Sequence, residues 1–211
     1  TEGFFIADGL LYESTGLVGK SDIRVMSLTD GKILKRQAID PKMFGEGIAP
    51  WKDRIISLTW QTGKGYVWKR SSLKLVKSFS YSGEGWGFTN DGKRLIMSDG
   101  TASLRFLDPE TLKVTSTLPV TWQGGPVRNL NELEYVNGEI LANIWYSPLI
   151  ARIDAKTGAI KDWINISPLV AKNMDGDPDS VANGIAWDAK SGLLYVTGKN
   201  WPLIYALRLK K

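Results

Sequence analysis

Apolar and polar residues alternate with a period of two through most of this chain, and Val, Ile, Tyr and Trp are enriched where they do. That is the pattern of strands that bury one face. Gly, Asp and Asn collect between the alternating stretches, as tight turns require. No segment sustains a 3.6-residue period, and only residues 168–172 suggest a short helical turn.

The alternating stretches recur. An apolar strand ending in small or polar residues is found at 10–16, 54–60, 94–100, 139–145 and 193–199, at intervals of about 40 to 50 residues. A shorter strand carrying Gly or Glu precedes each one: Glu2-Gly3-Phe4, Glu46-Gly47-Ile48, Trp86-Gly87-Phe88, Glu132-Leu133-Glu134 and Asn183-Gly184-Ile185. A turn followed by an outer strand recurs at 30–34, 72–76, 109–114 and 156–160. Four strands per unit and five units predict an all-β chain, a five-bladed β-propeller that occupies residues 1–211 as one domain. The fifth unit is short of one strand, because its third, 203–209, runs into the last residues. A closing strand from upstream of residue 1 is therefore expected, since an unpaired edge invites aggregation.

Composition narrows the chemistry. Apolar residues make up 43% of the 211 and charged residues 23%, as in ordinary globular proteins. No apolar run approaches the roughly 18 residues of a membrane helix, so membrane insertion is not expected. Lys and Arg number 27 against 22 Asp and Glu, a net charge of +5, but they are dispersed at turns and form no nucleic-acid-binding stripe. Cys and His are both absent. Disulfides, thiol nucleophiles, Ser-His-Asp machinery and imidazole or thiolate metal ligands are thereby excluded. Catalysis, if present, runs on carboxylates, lysine, amides, hydroxyls and indole N–H groups. The polar loop 172–181 carries Asp175, Asp177 and Asp179, but the glycine and closing glutamate of a calcium loop are misplaced.

Propellers bind ligands at one end of the central channel, so polar and aromatic residues at repeat-equivalent positions are the candidates. Glu46 lies between two glycines in Phe44-Gly45-Glu46-Gly47-Ile48. It is either a turn glutamate facing water or a carboxylate that a ligand can approach closely. Trp60, Trp86 and Trp145, three of nine tryptophans, fall near strand ends in successive units. They form either an aromatic box or packing between blades. Residues 129–135 alternate amides and carboxylates with apolar residues, as a channel-facing row would. Lys199 stands where other units have Gly or Trp, either snorkelling at the surface or aimed into a pocket.

Six stretches make the sequence specific: 13–17 (ESTGL), 85–87 (GWG), 98–101 (SDGT), 128–135 (RNLNELEY), 183–188 (NGIAWD) and 196–202 (VTGKNWP). In this order and at these spacings, across essentially the whole chain, they resemble the plant and bacterial glutaminyl cyclases. The resemblance implies a five-bladed propeller that converts N-terminal glutamine of peptides or proteins to pyroglutamate and releases ammonia. It implies Glu46 as the proton-transfer residue, with Asn131 and Lys199 holding the substrate and the developing negative charge. Phe44, Trp60, Trp86 and Trp145 would line the pocket together with Glu2, where plant members tend to carry Gln. A second acid there would raise the pKa of Glu46 by repulsion, and walls of indole would raise it by desolvation. Lysine, amide and indole N–H donors would stabilise the oxyanion. No cofactor and no metal are expected, and the protein is expected to be a monomer that is periplasmic or secreted. Two alternatives stand beside this reading: a metal-dependent lactonase-like propeller, which residues 183–188 loosely echo, and a non-catalytic propeller that binds proteins on one face.

Overall fold

A computed structural model describes residues 1–174 and 176–209. Asp175, one of the three acids of the polar loop, lies outside the described residues. The first blade consists of β1 (Gly3–Ala7), β2 (Leu10–Ser14), β3 (Asp22–Ser27) and β4 (Ile33–Ala38). The second consists of β5 (Gly45–Trp51), β6 (Arg54–Thr59), β7 (Lys64–Lys69) and β8 (Leu75–Ser80). The third has β9 (Phe88–Asn90), β10 (Leu95–Met97), β11 (Ser103–Leu107) and β12 (Val114–Pro119). A small hairpin of β13 (Thr121–Trp122) and β14 (Gly125–Pro126) follows. The fourth blade is β15 (Leu130–Val136), β16 (Glu139–Ile144), β17 (Leu149–Asp154) and β18 (Ile160–Asn165). After the short helix α1 (Ser167–Asn173), the fifth blade has β19 (Ala182–Asp188), β20 (Leu193–Gly198) and β21 (Tyr205–Leu207).

All five sheets are antiparallel meanders in sequence order. Their first strands pack in a ring, β1 to β5 to β9 to β15 to β19 and back to β1. The fold is thus a five-bladed β-propeller. Burial grades outward along each blade. Residues 45–49 of β5 are all buried, whereas β4, β8 and β12 are almost wholly exposed. Inner strands are covered by neighbours on both sides, so they tolerate continuous apolar runs; outer strands face water.

The core is not one mass but five, one at each blade interface. Phe5, Tyr12 and Ile23 of the first blade meet Ile48, Ile55 and Trp68 of the second. Ile56 and Leu58 meet Phe88 and Met97 at the next interface. Ile96 and Phe106 meet Leu133 and Ile153. Leu141 and Ile150 meet Ile185 and Val196. The ring closes where Ala186 meets Phe4, Leu11 and Met26. Much of the tryptophan content serves this packing: Trp68 is buried between blades and donates its indole N–H to Ser57 Oγ at 2.9 Å.

Candidate active site

The inner strands approach the axis so closely that side chains are excluded from one position in most blades. A Cβ on Gly3 would lie 2.5 Å from the backbone N of Ile48, and one on Gly47 would lie 2.4 Å from the carbonyl oxygen of Trp86. On Gly87 it would lie 2.0 Å from the carbonyl oxygen of Asn131. The fourth blade departs from this rule and places Glu132 at the matching position. Its carboxylate accepts the N–H of Phe4 at 3.2 Å and of Ile185 at 2.8 Å, joining three blades across the axis. Glu132 is fully buried, and that burial, with Glu134 nearby, holds its pKa well above the usual carboxylate range. Glu134 accepts the N–H of Trp187 at 2.9 Å and the hydroxyl of Thr89 at 3.2 Å, and burial pushes its pKa up to about 8.

Just before these positions the inner strands bulge. The pairing register shifts between Gly45 and Ile48, between Leu130 and Leu133, and between Ala182 and Ile185. One extra residue in each pair re-aims the side chains, as bulges do beside functional sites. Glu46 and Asn131 occupy two of these bulges and both border a cavity of about 850 Å³ at the channel mouth. Hydroxyls pin the irregular backbone: Ser14 donates to the carbonyl of Glu46, and Ser98 to that of Asn131 at 2.7 Å.

All eight residues singled out in the sequence border this one cavity: Glu2, Phe44, Glu46, Trp60, Trp86, Asn131, Trp145 and Lys199. Lys199 sits in the turn after β20, and its Nζ lies 2.6 Å from Glu2 Oε2. It is therefore a pocket cation and not a snorkelling surface group. Burial works against its charge, but Glu2 and Glu46 outweigh that and raise its pKa. Glu46 is 6% exposed and accepts no side-chain hydrogen bond from the described residues. Burial foremost, then the negative charge of Glu2, hold its pKa well above the usual range, against the opposing pull of Lys199. The Oδ1 of Asn131 is buried without a hydrogen-bond partner among the described residues. The site thus offers one unengaged acid, one ion pair and one amide with spare hydrogen-bonding capacity.

The walls are aromatic. Phe44 meets Trp60 edge to face at 5.6 Å between centroids, and Trp86 meets Trp145 the same way at 5.4 Å. Two glycines make room for them. A Cβ on Gly16 would lie 2.4 Å from the Phe44 ring, and on Gly100 2.6 Å from the Trp86 ring. One expectation needs correction. The indole N–H groups of Trp60 and Trp86 are not free to bind an oxyanion, because both are donated to Glu84 Oε2 at 2.8 Å. A carboxylate is the stronger acceptor and already holds them. Glu84 went unremarked in the sequence, although it carries the same signal as Glu46, a carboxylate between two glycines.

The sequence profile described as glutamine cyclotransferase matches residues 1–209. The chain belongs to the glutamine cyclotransferase family. It is 43% identical over 216 residues to the glutaminyl-peptide cyclotransferase of Arabidopsis thaliana, covering all of this chain and 67% of that protein. It also superposes on the crystal structure of Myxococcus xanthus glutaminyl cyclase with a TM-score of 0.92 at 32% identity, over 100% of this chain and 90% of that one. Family membership accounts for the order of the six sequence stretches, four of which (13–17, 85–87, 128–135 and 196–202) contribute residues to the cavity.

Proposed function

We propose that this chain is a glutaminyl-peptide cyclotransferase, acting on peptides or proteins with N-terminal glutamine. The observation that carries the proposal is Glu46: a buried carboxylate that accepts no hydrogen bond among the described residues, beside the Glu2–Lys199 pair, bordering an aromatic cavity. A carboxylate whose pKa is raised by burial and by a neighbouring acid holds a proton more firmly than a free one, and so can both take it up and return it.

The substrate supplies its own nucleophile. Its α-amine attacks the carbon of its own γ-carboxamide, and the new C–N bond closes a five-membered ring. Glu46 takes a proton from the attacking nitrogen. As the tetrahedral centre collapses, the C–N bond to the original amide breaks, and Glu46 returns the proton to the departing nitrogen, which leaves as ammonia. The protein's main task is to hold the reactive rotamer, since an intramolecular reaction gains chiefly from orientation. Phe44, Trp60, Trp86 and Trp145 bound the space in which that rotamer sits. Lys199 and Asn131 supply the charge and the amide donors for the developing oxyanion.

The lactonase-like alternative needs channel carboxylates free to hold an ion. Glu132 instead spends both oxygens on backbone N–H groups, and the described residues contain no cluster of three acidic side chains placed for a metal. In the polar loop, Asp177 accepts Asn200 Nδ2 at 3.0 Å and so braces the turn that carries Lys199. Among the described residues no helix is long and apolar enough to cross a membrane. A monomer at an exported location completes the proposal. The decisive experiment measures ammonia released from a short peptide with N-terminal Gln, against the same peptide with its α-amine acetylated. Release from the first and not the second is expected; equal release from both, or none from either, overturns the proposal.

A further inference from the structure

Glu84 belongs neither to the proton-transfer step nor to the Glu2–Lys199 pair, yet its carboxylate gathers three donors beside the cavity. Oε2 accepts the indole N–H of both Trp60 and Trp86 at 2.8 Å, and Oε1 accepts Gln61 Nε2 at 3.4 Å. The two indoles come from different blades, Trp60 from the end of β6 and Trp86 from the approach to β9. Trp60 is 38% exposed, so packing alone does not fix its plane. Glu84 itself is held. Its carbonyl accepts Arg105 Nη2 at 2.7 Å, and Arg105 is anchored in turn to Asp99 at 2.7 Å and to the carbonyl of Ser82 at 2.6 Å. The flanking glycines let the segment lie against the wall. Gly83 has φ +76°, and a Cβ on Gly85 would lie 2.5 Å from the Tyr81 hydroxyl.

We infer that Glu84 is a positioning residue, which locks the indoles of Trp60 and Trp86 across the blade interface and places a fixed negative charge near Glu46. The inference deepens the cyclotransferase reading and rests on it for its kinetic part. Residues that support a site from behind set its geometry, and small displacements of the walls cost rate steeply. The charges around Glu46 are Glu2, Glu84 and Lys199, with the Tyr81 phenol and Arg105 behind them. Burial and Glu2 raise the pKa of Glu46 most, and Glu84 adds in the same direction.

The test compares Glu84→Gln, Glu84→Ala and Glu84→Asp in the whole chain. Gln keeps an oxygen where both indoles donate but removes the charge; Ala removes both; Asp keeps the charge but is too short to reach both indoles. Glu84→Ala and Glu84→Asp should alter the near-ultraviolet circular dichroism of tryptophan and raise KM by about tenfold or more. Glu84→Gln should restore both close to wild type. In Glu84→Gln and Glu84→Ala the acid limb of kcat/KM should move to lower pH, because removing a negative charge lowers the pKa of Glu46. In Glu84→Asp it should stay. Wild-type dichroism and KM in Glu84→Asp, failure of Gln to restore a folded protein, or an unmoved acid limb in Glu84→Gln overturns the inference. Dichroism needs no turnover, so a wild-type chain that released no ammonia would sink the cyclotransferase reading while the alignment was still judged.

Discussion

Replacing Glu46 with Gln should abolish most activity and, at neutral to alkaline pH, make the protein more stable. The side chain accepts no hydrogen bond from the described residues, so the amide orphans no donor, and its volume is unchanged. A positioned acid–base group contributes ~10²- to 10⁴-fold, or about 3 to 5 kcal/mol of barrier. The loss should fall on kcat with KM within about threefold, because the aromatic walls are untouched. The stability change has the opposite sign. The folded pKa of Glu46 lies above its unfolded value through burial and then Glu2. Its ionisation therefore costs nothing below the unfolded pKa, and the cost grows as pH rises through the folded pKa. Gln carries no such cost. Urea unfolding at about pH 4 and about pH 8 should show the two proteins alike at the first and the variant ahead at the second. Near wild-type turnover refutes the role of Glu46 as proton carrier. Lost turnover together with lost stability at the higher pH refutes the account of its environment.

Three further outcomes are expected. Glu134→Gln should flatten the pH dependence of stability: with a folded pKa of about 8, wild type should lose at most about 4 kcal/mol more than the variant between about pH 5 and about pH 9, and parallel unfolding curves would count against it. Lys199→Met should leave Glu2 without its cation and cost about 3 kcal/mol, the low end for a buried pair because Lys199 is 23% exposed; it should also move the acid limb of kcat/KM to higher pH, as read from a pH–rate profile. Gly47→Ala should press a methyl group to 2.4 Å from the Trp86 carbonyl, lowering stability by about 1 to 3 kcal/mol in a thermal melt and slowing turnover through displacement of Glu46.

The five blades were legible because each carries the same alternation and the same turn residues. Boundaries were less so. The stretch 94–100 reads as one strand, but β10 is only Leu95–Met97: the Ser98 hydroxyl is drawn to Asn131, and Gly100 turns the chain at φ +77°. The helical turn expected at 168–172 appears as α1. For the site, residue types and family order sufficed to choose eight residues that border one cavity. What escaped was pairing. A bulge is one extra residue and shows only once the partner strand is known, as at Gly45 and Thr59. Glu132 could be read as facing the channel, but not as tying blades together, because its amide partners lie 128 and 53 residues away in sequence. Glu84 is not legible for a simpler reason: its partners, the indole N–H groups of Trp60 and Trp86, belong to different blades and meet only in the folded chain.

The glutamate that crosses the axis has a consequence for traffic. A second cavity of about 510 Å³ opens at the far ends of β1, β5 and β9, and it shares no lining residue with the first. The two cavities are therefore separate, and the aromatic one is entered at the channel mouth. The ammonia and the cyclised terminus leave by the door through which the terminus came. A folded protein can present to such a cavity only a terminus that protrudes beyond its own surface. Which chains are modified, and when during their maturation, is thus decided as much by how far their first residues stand clear of the rest as by the residues themselves.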